Sequence, residues 1–91
     1  MKILCVCGLG MGSSLILKMN VEDVLNEVGV KADVEHSDVS SARSENCDYI
    51  VTTTELAQSL EGSKGKIVIC NNLIDKNIIK KSLVEGGIIG S

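Results

Sequence analysis

Proline, phenylalanine and tryptophan are absent from the 91 residues, and Tyr49 is the only aromatic side chain. With one ring there is no platform on which to stack bases, which argues against single-strand nucleic-acid binding. Positive charge is also scarce: nine Lys and Arg stand against twelve Asp and Glu, for a formal net charge of −3. Affinity for a phosphate backbone comes from clustered Lys and Arg, so no nucleic-acid partner is expected. No apolar run approaches the roughly 20 residues that a membrane-spanning helix needs. The opening Met1–Val6 is apolar but breaks at Gly8, far short of a signal-peptide core. The expectation is a cytoplasmic protein with no direct membrane insertion.

Cysteine is present, at Cys5, Cys7, Cys47 and Cys70, but not in a pattern that builds a scaffold. In a cytosolic chain disulfides are not expected. Cys5-Val6-Cys7 is C-x-C rather than C-x-x-C, and no second close pair completes a zinc set. No metal and no cofactor are expected. The core must be aliphatic: 44% of the chain is hydrophobic, mostly Ile, Val and Leu. Residues 1–91 are too few for two cores and are expected to form one domain.

Strand and helix patterns alternate. Lys2–Val6 is apolar on both faces, which suits a buried parallel strand. A Gly-rich loop follows, and a helix is expected to begin near Ser13. Leu17, Val21, Val24, Leu25 and Val28 fall on one stripe of that helix, and Gly29 stops it. Val30–Ser37 alternates apolar and polar residues, as a strand near a sheet edge does. Asp38–Asn46 is a loop or short helix. Tyr49–Val51 is a third strand, running into Thr52, Thr53 and Thr54. Glu55–Leu60 is a turn or two of helix, and Gly62–Gly65 a surface loop. Lys66–Cys70 is a fourth strand, and Asp75 caps a last helix carrying Ile78, Ile79 and Leu83. Gly86–Ser91 is expected to fray. The fold class is α/β: a three-layer α/β/α domain with a four-stranded parallel sheet in the order 2-1-3-4, a flavodoxin-like half. Such sheets bind ligands at the carboxyl ends of the strands, beside strand 1.

The unusual segment lies there: Cys7-Gly8-Leu9-Gly10-Met11-Gly12-Ser13-Ser14. Three glycines in five residues let the backbone approach a ligand closely, and successive N–H groups make an anion-binding concavity. The following helix adds its unpaired N–H groups and about half a positive charge. Ser13 and Ser14 add hydroxyls. A Walker loop would need Lys after the last glycine, where Ser13 stands; a dinucleotide fingerprint would need glycine at that same position. The remaining chemistry places a nucleophile at the mouth of the cradle, and Cys7 is there. A thiolate at a helix N-terminus is stabilised and can hold a phosphoryl group as a thiophosphate. Cysteine phosphatases use C-x5-R-[ST]; here Cys7 plus five residues leads to Ser13 and Ser14. Without the guanidinium that grips two phosphate oxygens, the loop suits carrying a phosphoryl group better than hydrolysing one. A small cysteine phosphatase or arsenate reductase, and a non-catalytic anion-binding module, are the other readings of this loop.

V-C-G-x-G-x-G-S-S at the end of a first strand resembles the phosphocysteine loop of enzyme IIB subunits of the bacterial sugar phosphotransferase system. Ile3–Lys18 (ILCVCGLGMGSSLILK) is similar to the ascorbate-type branch of the lactose/ascorbate superfamily. The likeness runs on through Val21–Leu25, Val34–Ala42 and Asp48–Ala57 and thins after Leu60. It implies a role: IIB accepts a phosphoryl group from a phosphohistidine on enzyme IIA and passes it to a solute in the membrane subunit IIC. By motif position Cys7 would be phosphorylated, and Gly8, Leu9, Gly10, Met11, Gly12, Ser13 and Ser14 would form the cradle. Leu9 and Met11 are apolar where polar residues are common; this leaves open another solute, such as galactitol, or a face offered to IIA.

Other residues have plainer readings. Cys5, on the face of Cys7 one pleat deeper, is core filler before it is a resolving thiol. Cys70 is buried rather than reactive. His36, the only histidine, is an edge residue, with a role at the site as the alternative. Thr52, Thr53 and Thr54 cap the next helix or line the cleft. Asn71 and Asn72 are turn formers, and Lys76, Lys80 and Lys81 a solvated helix face.

Overall fold

The computed structural model describes residues 1–7 and 11–90, and of Met11 the backbone. The elements in order are β1 (Lys2–Val6), α1 (Met11–Val28), β2 (Asp33–Ser37), α2 (Val39–Ser44), β3 (Tyr49–Thr52), α3 (Thr54–Ala57) continued by a 3-10 turn (Gln58–Leu60), β4 (Lys66–Ile69) and α4 (Lys76–Glu85). The four strands form one sheet in the order β2-β1-β3-β4, with every pairing parallel. This is the expected order, and it puts β1 between β2 and β3.

The period of two in each strand divides the core. Ile3, Cys5, Val34, Val51 and Val68 face α1 and α4, meeting Leu17, Val21, Val24, Leu25, Ile79 and Leu83. Leu4, Val6 and Ile50 face the other way, onto Ala42 of α2 and Leu60 of the 3-10 turn. β1 is thus buried on both faces, which its unbroken apolar run requires.

Two expectations need correction. The helix after β1 begins at Met11, so Gly12 lies inside its first turn rather than in the loop. Nor do Gly86–Ile89 fray as expected: Ile88 and Ile89 are each only 6% exposed. The cause is local. α1 ends with Gly29 at φ 75°, Gly29 N–H donating to Asn26 O and Val30 N–H to Leu25 O. α4 repeats the motif, with Gly87 at φ 86°, its N–H on Val84 O and Ile88 N–H on Leu83 O. Each left-handed glycine turns the next apolar residue back onto the helix it follows. The pair Gly86-Gly87 before Ile88-Ile89 was the signal in the sequence.

Candidate active site at the carboxyl end of β1

Cys7 follows the last residue of β1, and Val6 is in register with Ser37 of β2 on one side and Thr52 of β3 on the other. The thiol therefore stands over the middle of the sheet, at the point from which the chain winds outward in both directions. It is 9% exposed. Three residues separate it from α1 in the sequence. Gly8, Leu9 and Gly10, expected to cradle an anion, lie outside the described residues.

The start of α1 differs from the other helix starts. Asp38 caps α2, its carboxylate accepting Ser41 N–H at 2.7 Å. Asp75 caps α4, accepting from Asn77 and Ile78 N–H. The first N–H of α3 donates to Asn71 Oδ1 at 2.9 Å. α1, the longest helix at 18 residues, has no acidic side chain in its first turn, and the residue before it is a glycine, with no side chain to cap with. The first-turn N–H groups of a helix have no acceptor within the helix, and the dipole adds to their pull on an anion. Met11, Gly12 and Ser13 occupy that turn; Ser13 is half-buried and Gly12 exposed.

Ser14 is 5% exposed, and its Oγ lies 3.4 Å from Nδ1 of His36. His36 is in register with Cys5 and, two residues beyond Val34, faces α1 from the edge strand β2. The contact links the loop–helix junction to a residue 22 positions away. Strand parity was a signal for it in the sequence; the partner on α1 was not legible there.

The other thiols are unlike Cys7 in setting. Cys5 is wholly buried, and burial, then the nearby Cys70 and Glu22, push its thiol up to about 12. Burial chiefly, with Glu45, also raises Cys47. Cys70 is buried with Sγ 3.1 Å from Asn72 O. All four are free, and no group of three or more His, Cys, Asp or Glu that could hold a metal occurs among the described residues.

The threonines do not act as expected. Thr53 precedes α3 but makes no side-chain capping bond. Thr54 instead exchanges hydrogen bonds with Asn71, whose amide oxygen does the capping. Thr52 is wholly buried, its Oγ1 without a hydrogen-bond partner among the described residues. Asn72 is a turn former: its Oδ1 accepts from Ile74 and Asp75 N–H. Lys76 pairs with Asp23 at 3.1 Å, while Lys80 and Lys81 are exposed as expected. An open depression of about 500 Å³, lined by Met1, Asp48, Tyr49 and Lys66, lies at the amino ends of the strands, opposite Cys7. It lies at the far end of the sheet from Cys7.

Known proteins are similar over most of the chain. Residues 2–85 match the family described as PTS system, Lactose/Cellobiose specific IIB subunit. The ascorbate-specific PTS system EIIB component of Mycoplasma pneumoniae is 34% identical over 84 residues, covering 89% of this chain and 88% of the relative. That of Salmonella typhimurium is 34% identical over 70 residues, 75% of this chain and 69% of the relative. The lactose-specific IIB domain of Streptococcus pneumoniae superposes with a TM-score of 0.65 at 16% identity, covering 100% of this chain and 98% of that one. At that identity the match speaks for the fold.

Proposed function

The chain belongs to the lactose/cellobiose-specific IIB family of the phosphotransferase system, and on that premise we propose that Cys7 carries the phosphoryl group. As a IIB component the protein is a phosphotransferase. The observation that carries the assignment is the place of Cys7, at the central strand end and separated by three residues from α1, the longest helix, whose first turn holds no acidic side chain among the described residues.

The Cys7 thiolate attacks phosphorus of a phosphohistidine on IIA. The S–P bond forms, the N–P bond breaks, and its electron pair stays on the imidazole nitrogen. The N–H groups and hydroxyls of Gly8 to Ser14 hold the phosphoryl oxygens. In the second step a solute oxygen held by IIC attacks phosphorus, and the S–P bond breaks with its pair returning to sulfur. The proton of the solute hydroxyl passes to solvent. Exposed Leu15, Ile16 and Met19 on the first three turns of α1 support a protein donor, since apolar surface beside a reactive group suits a transient interface.

The solute we propose is ascorbate: both relatives described above are ascorbate-specific components at 34% identity, while the lactose-specific structure shares only 16%. We also assign residues 1–91 to a single IIB domain working in the cytoplasm. Among the described residues no helix is long and apolar enough to cross a membrane.

The test is incubation with phosphorylated IIA and intact mass measurement. Cys7→Ser abolishes the phosphoryl adduct, whereas Cys5→Ser, Cys47→Ser and Cys70→Ser retain it. Wild-type labelling of Cys7→Ser would overturn the assignment. Addition of IIC membranes with ascorbate, but not galactitol or lactose, discharges the adduct.

A further inference from the structure

The cradle proposed above contains no cationic side chain, yet it must hold a phosphoryl dianion. We propose that His36 supplies the missing charge and sets the direction of the Ser14 hydroxyl, making it a positioning residue for the phosphoryl group on Cys7. This rests on the reading of Cys7 as the acceptor.

The contact of Ser14 Oγ with His36 Nδ1 at 3.4 Å is long for a hydrogen bond, and contacts of this kind tighten once the reacting group is bound. Its direction depends on protonation. A neutral imidazole with a lone pair on Nδ1 accepts the single hydroxyl proton of Ser14 and draws it toward β2. An imidazolium has N–H on both nitrogens and no acceptor. Nδ1–H then donates to Ser14 Oγ, and the serine proton, turned away from His36, is left to bond a phosphoryl oxygen. Protonation thereby brings one charge-assisted donor and one positive charge to the site together.

The surroundings leave this role to His36. The elements packed against β2 are β1 and α1. On α1, Lys18 stands one turn beyond Ser14 and is paired with Glu22 at 2.9 Å. On β1, Lys2 is held by Glu35 of β2 and by Glu45, at 3.3 and 3.4 Å. Cys5 is kept neutral by burial. At either end of β2, Asp33 lies at the amino end, remote from Ser14, and Asp38 is engaged by Ser41 N–H. Histidine is the side chain whose ordinary titration range falls near neutrality. His36 is exposed, so its replacement does not disturb the core.

The experiment measures the initial rate of phosphoryl uptake on Cys7 from phosphorylated IIA, by mass, between pH 5.5 and 8.5. Wild type is compared with His36→Arg, a permanent cation that only donates, and with His36→Ala. Each protein's uptake rate is divided by its own Cys7 alkylation rate at the same pH, so that any effect of residue 36 on the thiol's ionisation is removed, and titration of the donor is common to all three. The wild type tracks His36→Arg at the acid end and His36→Ala at the alkaline end, so its rate relative to His36→Arg falls about ten- to a hundredfold across the range, the worth of one hydrogen bond to a charged group. Placing Ser14→Ala in each background shrinks that pH dependence. A ratio flat with pH while Cys7 still charges fully, or a pH dependence unmoved by Ser14→Ala, overturns the role of His36 and leaves the acceptor assignment standing. No adduct on Cys7 in the wild type at any pH overturns both.

Discussion

The methyl groups of Val68 occupy the place where a Cβ on Gly86 would stand: built there, it would lie 2.6 Å from Cγ2 and 2.7 Å from Cγ1. Gly86 itself has φ −79° and ψ −8°, a conformation open to any residue. Its glycine is therefore needed for space and not for backbone freedom. This close approach seats the end of α4 on β4 and lets Ile88 and Ile89 reach the core. Gly86→Ala is expected to destabilise by about 1–3 kcal/mol through overpacking, lowering Tm by about 4–8 °C for each kcal/mol in a domain of this size. Thermal unfolding measures it; an unchanged Tm would mean that β4 yields without cost.

Thr52 offers the opposite sign. Its hydroxyl is buried and unpartnered among the described residues, on the face that holds Leu4, Val6 and Ile50. Thr52→Val keeps the shape and removes a polar atom that gains nothing. Stability is expected to hold or rise by about 1 kcal/mol, because an unsatisfied buried group carries its desolvation penalty. Urea denaturation distinguishes this from a loss of more than 1 kcal/mol, the result expected if the hydroxyl were hydrogen-bonded.

Cys5 should resist alkylation. With its thiol pushed up to about 12 by burial, the thiolate fraction at pH 8 is about one in ten thousand, and solvent does not reach the sulfur. Iodoacetamide on the native protein, mapped by peptide mass, is expected to modify half-buried Cys47 well before Cys5. In denaturant all four cysteines should label at similar rates. Equal native rates for Cys5 and Cys47 would show that β1 opens readily.

Hydrolysis should be slow. The position that phosphatases fill with arginine is Ser13, half-buried in the first turn of α1. Without a guanidinium to stabilise the transition state, the phosphorylated protein is expected to persist for minutes or longer and to discharge only with IIC and solute. Ser13→Arg is expected to raise aryl phosphate turnover modestly, there being no general acid to protonate the leaving group. Brisk turnover by the wild type, lost in Cys7→Ser, would replace the carrier reading with a phosphatase.

Donor docking should depend on the apolar start of α1. Leu15, Ile16 and Met19 are 43%, 47% and 56% exposed. Met19→Glu is expected to raise the IIA concentration for half-maximal uptake about tenfold, as loss of an interface anchor does, with little change in the saturated rate. A fall in saturated rate alone would assign Met19 to the cradle's geometry instead.

The strands, the stripe of α1, the cap at Asp75 and the placement of Cys7 at the end of a central strand were all legible in the sequence. Each depends on neighbours a few residues apart, whose periodicity and hydrogen bonds are local. The order of the sheet followed from the alternation of strand and helix, because parallel crossovers have one hand. The tertiary structure alone decided which distant groups meet. Ser14 finds His36 only because the β1–β2 register sets His36 beside Cys5 and α1 crosses that same face. Asn71, rather than a threonine, caps α3 because parallel pairing of β3 and β4 brings their carboxyl ends together. Thr52 is buried because β3 is an inner strand covered on that face by α2 and the 3-10 turn. Contacts of this kind depend on register and packing across the sheet, and no spacing within a single element encodes them.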